Sequence, residues 1–511
     1  MAGARFPGGA VLETRPSQPA GSTLRRLPAP PRVYLPMLQH QGEPARPCVE
    51  IGTRVLRGQC IGVATSALSA PVHASCSGTV SAITARDIGH PSGRLITCVE
   101  IDSDDSDGFA HLPTLADWQA LDRAAITARL HEAGVVGLGG AVFPTALKLE
   151  AAAAPVHTLI VNGAESDPLA GSDDAVMRHR ADDVIAGALL LAQALSATRV
   201  LVAVNDALDD AAASLHRACA DNALARSVRI VAVPSRYPQG SERQLLYTLT
   251  GIALGHGSLP HEHGVLTFNV ATAAAAWRAV VHGEPVTSRV LRIAGDGVRQ
   301  PCTLEVPLGT PIADLVAAAG GYGDDARRLL VGGAMMGRAL PHDDIPIGKG
   351  TYSVLVLSSA QVPGAITEMP CIRCGECARV CPSRLLPQRL LTDIRQARFD
   401  ESAARDLHDC IECGLCDTVC PSHIPLLHWL RHGKGELAFA TREQALSDRS
   451  RLAHHARNER LAQLAEERAQ TLAARERGSS GQSRSALPDV LAAALAKARA
   501  GKRDSDDTPP S

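Results

Sequence analysis

The run CIRCGECARVCP places Cys371, Cys374, Cys377 and Cys381 in a fixed spacing closed by Pro382, and CIECGLCDTVCP repeats it at Cys410, Cys413, Cys416, Cys420 and Pro421. No other feature constrains this chain as tightly. Three thiols at two-residue gaps can wrap three corners of an iron–sulfur cube, and in the bacterial two-cluster pattern the cysteine before proline reaches across to the other cluster. On that pattern Cys371, Cys374, Cys377 and Cys420 hold one [4Fe–4S] cluster, and Cys381, Cys410, Cys413 and Cys416 hold the second. A zinc ribbon needs only four thiolates; two runs of four exceed that need. The 28 residues between Cys381 and Cys410 include the helix-patterned PQRLLTDIRQAR, so 361–438 is expected to be a helical two-cluster ferredoxin domain. Crossed ligation keeps the clusters close, which suits electron relay, and a relay requires a donor and an acceptor.

The chain has 511 residues, room for about three or four domains. The other six of its 14 cysteines (Cys48, Cys60, Cys76, Cys98, Cys219, Cys302) lie in apolar or strand-like contexts and read as ordinary buried thiols of a cytosolic protein. With 51 basic against 53 acidic residues, nothing argues for a nucleic-acid surface. The most apolar run, IAGALLLAQALSATRVLVAV, contains Gln193 and Arg199 and changes period midway. It reads as a buried helix and then a buried strand, so no transmembrane span is expected. Residues 1–32, rich in Pro, Gly and Arg without an apolar run, read as a flexible arm.

The chain reads as a multidomain α/β and α+β protein. Region 33–115 holds short β-like runs around glycines, such as APVHASCSGTVSAI, as in a small sandwich. It is similar to the barrel-sandwich domains that carry lipoyl or biotinyl groups, but lacks the lysine those need, and so reads as a structural or docking module. In 116–285 helix patterns (DDVIAGALLLAQAL) alternate with strands (VHTLIVNGAE, RVLVAVND, VRIVAVPS), which predicts a Rossmann-like, mainly parallel sheet. Ligands on such sheets bind at the strands' carboxyl ends. Region 286–360 returns to short strands with one helix, PIADLVAAAG. Region 439–511 is a charged tail: a solvated helix, a GSSGQSRS linker and a short second helix.

Within the parallel-sheet region stands GVVGLGGAVFPTALKL. Val142 occupies the third-glycine position of the dinucleotide fingerprint, and no GK[ST] follows. What remains is a flexible loop leading to Pro144, a favoured first helical residue, and a helix expected over 144–153. A helix N-terminus preceded by glycines binds phosphate. Lys148, the first of only five lysines, adds a compact positive charge on a flexible stem. After the next strand, VNGAESDP brings Asn162, Glu165 and Asp167 to a strand end.

GLGGAVFPTALK, VNGAESDP, YPQGSE and FNVATAAA together resemble the FMN- and NADH-binding unit of the flavoprotein subunit of respiratory complex I. With the sandwich ahead and the cysteine motifs behind, residues 30–435 most closely resemble the C subunit of the Rnf ion-translocating electron transport complex. The resemblance implies that Gly137, Gly139, Gly140 and Lys148 cradle FMN, that Asn162, Glu165 and Asn269 contact it, that Phe143 stacks on the nicotinamide nucleotide, and that Asp167 and Glu242 lie beside NADH. It makes 286–360, with VGGAMMGRAL, a β-grasp module of the soluble-ligand-binding (SLBB) kind. Several residues depart from these families: Val142 and Ala146 replace glycines, Ala164 an Asp, Ser166 a Cys, and Asp167 is a methylene shorter than the usual Glu. The implied function is NADH-linked electron input through FMN and two [4Fe–4S] clusters to membrane subunits that couple ferredoxin redox to ion movement. Ferredoxin would be met directly or through a partner subunit, at the cytoplasmic side of a bacterial inner membrane. A cobalamin reductase of the same superfamily, or a non-catalytic iron–sulfur relay, would share these motifs.

Overall fold

The computed structural model describes residues 5–12, 24–104, 106–152, 154–362, 364, 367–479 and 487–500. Residues 1–434 and 435–511 form two separate units.

The first unit opens with a two-layer sandwich. One antiparallel sheet runs in the order Arg32–Pro36, Ile96–Ser103, Gly78–Arg86 and Arg54–Val55; the other is Arg46–Pro47, Cys60–Val63 and Val72–His73. Val33, Leu35, Ile61, Val72, Val80 and Ile101 meet between them, fully buried. Gly78 is required where it stands, because a Cβ there would lie 2.0 Å from the Asp102 carbonyl oxygen. Of the six scattered cysteines, Cys76 and Cys98 are buried and Cys60, Cys219 and Cys302 partly so. Cys48 is exposed instead, because it follows the two-residue edge strand Arg46–Pro47.

The next module is a parallel sheet ordered Val228–Val233, Arg199–Asn205, Thr158–Gly163 and Val265–Asn269. Leu159, Ile160, Val161, Val200 and Val202 are buried, as a sheet covered on both faces demands. The apolar run divides as the change of period predicts, into the helix Ala181–Leu195 and the strand Arg199–Asn205. That helix packs on Val270–Val281 so closely that a Cβ at Gly187 would meet the Ala273 carbonyl at 1.9 Å. From Thr158–Gly163 the chain goes first to one side and later to the other. The switch point therefore falls between Asn162 and Asn269, which are register partners.

A six-stranded sheet follows, ordered Arg25–Arg26, Cys302–Pro307, Ser288–Ala294, Ser353–Ser358, Ala326–Val331 and Arg338–Ala339, with the helix Ile312–Ala318 and its own core of Leu291, Ile293, Val306, Leu315 and Val356. The cysteine motifs alternate with short helices, Glu376–Val380, Pro387–Arg395, Phe399–Ala403 and Leu415–Thr418.

The expectation of a flexible arm over 1–32 is corrected for its described residues. Arg25–Arg26 adds a parallel edge strand to the β-grasp sheet. Phe6 is 3% exposed, Gly9 N–H donates to the Val380 carbonyl at 2.9 Å, and Ala10 exchanges backbone hydrogen bonds with Tyr237. The buried Phe6 ring, the left-handed Gly8 and Gly9, whose carbonyls accept from Arg236, and the packing of Ala10 and Leu12 against Tyr237 and Leu415 dock a stretch with almost no apolar pattern.

The helix Leu426–Ser479 runs 54 residues, and its residues 441–472 are all exposed; Leu487–Ala500 is a second helix. Most of the GSSGQSRS linker lies outside the described residues. No described helix is long and apolar enough to cross a membrane.

Candidate functional site: a flavin cavity and two thiol-lined pockets

At the carboxyl end of the switch point lies a cavity of about 1090 Å³, and all ten residues expected at a nucleotide site line it: Gly137, Gly139, Gly140, Phe143, Lys148, Asn162, Glu165, Asp167, Glu242 and Asn269. The glycine loop is pinched shut by two backbone bonds, Gly137 N–H to the Phe143 carbonyl at 2.8 Å and Val142 N–H to the Gly137 carbonyl at 2.9 Å. Gly140 has φ of +97° and lies against the Tyr352 ring. A Cβ at Gly139 would come within 3.1 Å of Asn269, whereas one at Gly137 would meet nothing closer than 3.6 Å. Val142 holds φ of 46°, a conformation that suits glycine and strains a β-branched residue. Gln41 of the sandwich steadies it, its N–H donating to the Val142 carbonyl and its Nε2 to the Ala141 carbonyl. The helix after the loop is Thr145–Ala151, with Pro144 flanking it at ψ of 122°. It is shorter than 144–153, and the proline is its cap rather than its first residue.

The polar side chains of the cavity are already engaged. Lys148 Nζ donates to Glu242 Oε1 at 2.8 Å and to the Thr267 carbonyl at 2.7 Å. Asn162 Nδ2 donates to the Gly240 carbonyl while its Oδ1 accepts from Ala164 N–H. Asn269 Oδ1 caps the helix Val270–Val281 through Ala271 N–H, and its Nδ2 donates to Asp173 at 2.7 Å. Glu165 accepts from the N–H groups of Ser172, Asp173 and Asp174, so it caps the helix Ser172–His179. Burial, with the Asp173 carboxylate beside it, pushes its carboxyl well above the usual range.

Asp167 reaches from the cavity wall to another module. Its Oδ1 accepts from Ala334 N–H at 2.8 Å and its Oδ2 from Met335 N–H at 3.3 Å, and burial pushes it up to about 6. The acid expected beside NADH therefore ties a loop of the β-grasp module to the cavity's edge.

Two hydroxyls stand outside the set of residues expected at the nucleotide site. Thr145 Oγ1 and Thr267 Oγ1 are buried without a hydrogen-bond partner among the described residues, and both residues line the cavity. Buried polar atoms are almost always paired, so these two fit a ligand carrying polar groups. Thr145 lies within GLGGAVFPTALK and Tyr237 opens YPQGSE; nothing local marks Thr267, or Tyr352, which lines the cavity from farther along the chain.

Cys371, Cys374, Cys377 and Cys420 surround one small cavity, and Cys381, Cys410, Cys413 and Cys416 surround another, each about 20 Å³. Both motifs use the same backbone turn: Arg373 and Glu412 have φ of 58° and 57°, and Gly375 and Gly414 have 82° and 78°. Burial raises the thiols of Cys377, Cys381 and Cys410, and takes Cys413 to about 11. Thiolates here would need a positive centre. Among the described residues no three Cys, His, Asp or Glu side chains converge as one bound ion requires. A cube, which spreads its ligands apart, fits this donor set better.

The two pockets differ in setting. Cys371 and Cys374 are exposed. The other pocket adjoins the large cavity: Ile411 lines both, and Tyr237, also on the cavity wall, donates its hydroxyl to the Cys413 carbonyl at 2.8 Å.

A nucleotide-sized cavity at a parallel-sheet switch point, walled against one of two four-thiol pockets, defines an iron–sulfur flavoprotein of the electron-transfer class. Family models agree module by module: an RnfC barrel sandwich hybrid domain matches residues 4–106, a Nuo51 FMN-binding domain 130–278, an SLBB domain 290–339 and a 4Fe-4S dicluster domain 369–424. The C subunit of the ion-translocating oxidoreductase complex of Pseudomonas aeruginosa is 42% identical over 465 residues, which are 91% of this chain and 60% of that protein. Its counterpart in Citrobacter koseri is 37% identical over 97% of this chain and 69% of its own length. This chain belongs to the family formed by the C subunits of ion-translocating oxidoreductase complexes, and its cofactors are FMN and two [4Fe–4S] clusters. Among solved structures, an NAD+-reducing [NiFe]-hydrogenase in the H2-reduced state aligns over 65% of this chain and 64% of that one, at 21% identity and a TM-score of 0.43.

Proposed function

We propose that this chain is the peripheral electron-input subunit of a membrane-bound, ion-translocating oxidoreductase complex, passing electrons between NADH, FMN and the two clusters. The observation that carries the reading is the shared wall of Ile411 and Tyr237 between the cavity and the Cys381, Cys410, Cys413, Cys416 pocket. FMN supplies exchange between two-electron and one-electron carriers when bound, and the clusters supply single-electron relay.

The chain's own residues provide binding and orientation, which is the protein's share of such chemistry. Gly137, Gly139 and Gly140 leave space over the loop. Thr145 and Thr267 offer unpaired hydroxyls, and Lys148 a cation for the FMN phosphate in exchange for part of its bond to Glu242. Asn162, Glu165 and Asn269 fix the helix starts and strand ends that shape the cradle. Phe143 is placed to stack on the nicotinamide, with Glu242 and Asp167 bordering that side. The eight motif cysteines ligate the clusters in the two crossed groups. The other subunits of the complex, and ferredoxin directly or through one of them, are the partners, met on the cytoplasmic face of a bacterial inner membrane. The relatives' names support membership of such a complex.

Anaerobic purification followed by flavin and iron analysis and an NADH titration tests this reading. It expects FMN, about eight irons and bleaching of both flavin and cluster absorbance by NADH. Clusters that stay oxidised under excess NADH in flavin-loaded protein would overturn it.

A further inference from the structure

The large cavity extends beyond its flavin-domain wall to an end built by two other modules. His90 and Arg94 enter from the sandwich and Arg338 from the β-grasp module, and all three line the cavity. They lie close enough for Arg94 and Arg338, after burial, to lower the basicity of His90. The loop that carries Arg338 is the one whose Ala334 and Met335 N–H groups are held by Asp167, and Gly89 packs against Leu340 and Ile345.

The cations of the cavity are not equivalent. Lys148 is paired with Glu242, and Lys349 is fully buried with its ammonium donating to the Pro71 and Gly134 carbonyls. Among the described residues the Arg94 side chain donates only to the Ser92 hydroxyl, at 3.3 Å. The half-buried Arg338 has no side-chain hydrogen bond or ion pair among the described residues. The nearby acid, Asp87, lies 3.4 Å from the His342 ring, and its charge also favours the Arg338 cation. Two guanidinium groups that donate no hydrogen bond to a carboxylate among the described residues, converging on one end of a ligand cavity, suit phosphate oxygens, which they can bind bidentately.

We propose that Arg94 and Arg338 form a phosphate-binding pole that holds the pyrophosphate of the pyridine dinucleotide, with the sandwich and β-grasp modules completing a nucleotide site begun by the flavin domain. This rests on the NADH reading above and adds where the dinucleotide is gripped. The same groups could instead hold the phosphate of FMN, and the test separates the two sources.

Equilibrium binding of NADH and of reduced nicotinamide mononucleotide, which lacks the adenylate half and its phosphate, is measured on flavin-loaded full chain. Variants are Arg94→Gln, Arg338→Gln, the pair, and Arg338→Lys, with flavin content recorded for each. Each Gln variant is expected to weaken NADH about tenfold, the loss of roughly one charge-assisted hydrogen bond. The mononucleotide should change less, FMN content should hold, and Arg338→Lys should recover part of the loss. An unchanged preference for NADH over the mononucleotide in the double variant overturns the proposal. So does loss of FMN with NADH affinity intact after reloading, which would assign the pole to the flavin phosphate. If the preference responds as expected but NADH never bleaches the wild-type clusters, the pole stands and the electron-input reading falls.

Discussion

The two thiol pockets draw all their cysteines from Cys371 to Cys420, one short stretch of chain. The flavin cavity takes its lining from Pro36 to Ile411, across all four modules of the first unit. The pockets repeat one local backbone turn, with Arg373 and Glu412 in matching left-handed conformations. The cavity instead depends on modules meeting across long sequence separations, with Gln41 on the glycine loop, Asp167 on the β-grasp loop and Lys349 on two neighbouring modules among the anchors at its edge. Cluster ligation should therefore fail locally and completely, whereas nucleotide binding should degrade by degrees as anchors are removed.

The largest effect expected is at Cys381. Cys381→Ser should remove the cluster shared with Cys410, Cys413 and Cys416, about half of the iron, and spare the cluster of its own motif neighbours. Iron analysis and EPR check this; full iron with both signals intact would refute crossed ligation.

Lys349 tests the anchoring. Burial depresses its ammonium from the usual 10.5 to about 7. Between those values the unfolded chain binds more protons than the folded one, so this group's contribution to stability rises with pH from about 7 to 10.5 and is least favourable below that window. Lys349→Met leaves two carbonyls unpaired, at about 1–3 kcal/mol each, and removes that rise. Denaturation followed from pH 6 to 10 should show wild type gaining on the variant by at most about 1.4 kcal/mol per pH unit. A difference independent of pH would show that the buried amine does not release its proton across this window.

Smaller again, Lys148→Ala should weaken FMN about tenfold, the value of one charge-assisted hydrogen bond; full FMN retention through gel filtration would remove Lys148 from the phosphate role. Smallest, Tyr237→Phe loses one neutral hydrogen bond to the Cys413 carbonyl, about 1 kcal/mol. It should shift the temperature at which the adjoining cluster is lost by a few degrees, with the other cluster unchanged. An equal shift for both would contradict the asymmetry of the two pockets.

What could be read from the sequence follows the same division. The cysteine spacing states its own chemistry, because three ligands at two-residue gaps fold into one turn without help from elsewhere. The glycine loop and the strand ends at Asn162 and Asn269 were legible because ligands on parallel sheets gather there. The engagement of Glu165 and Asp167 was not, since it depends on helix Ser172–His179 starting beside one and on a loop more than 160 residues away reaching the other. Arg94, Gln41 and Tyr352 sit in segments whose local pattern carries no binding signal, and VGGAMMGRAL marks a module without marking Arg338. Residues 5–12 depart from a flexible arm for a related reason: their docking combines Phe6, Ala10 and Leu12 with backbone bonds to distant partners such as Arg236 and Val380, too few apolar positions to register as a pattern.

The central claim is that electrons entering at the cavity reach the Cys381, Cys410, Cys413, Cys416 cluster first. The direct test is stopped-flow reduction by NADH of flavin-loaded Cys371→Ser protein, in which the exposed cluster is lost. The account predicts that the remaining cluster is reduced as fast as in wild type; a remaining cluster that stays oxidised while the flavin bleaches would contradict it.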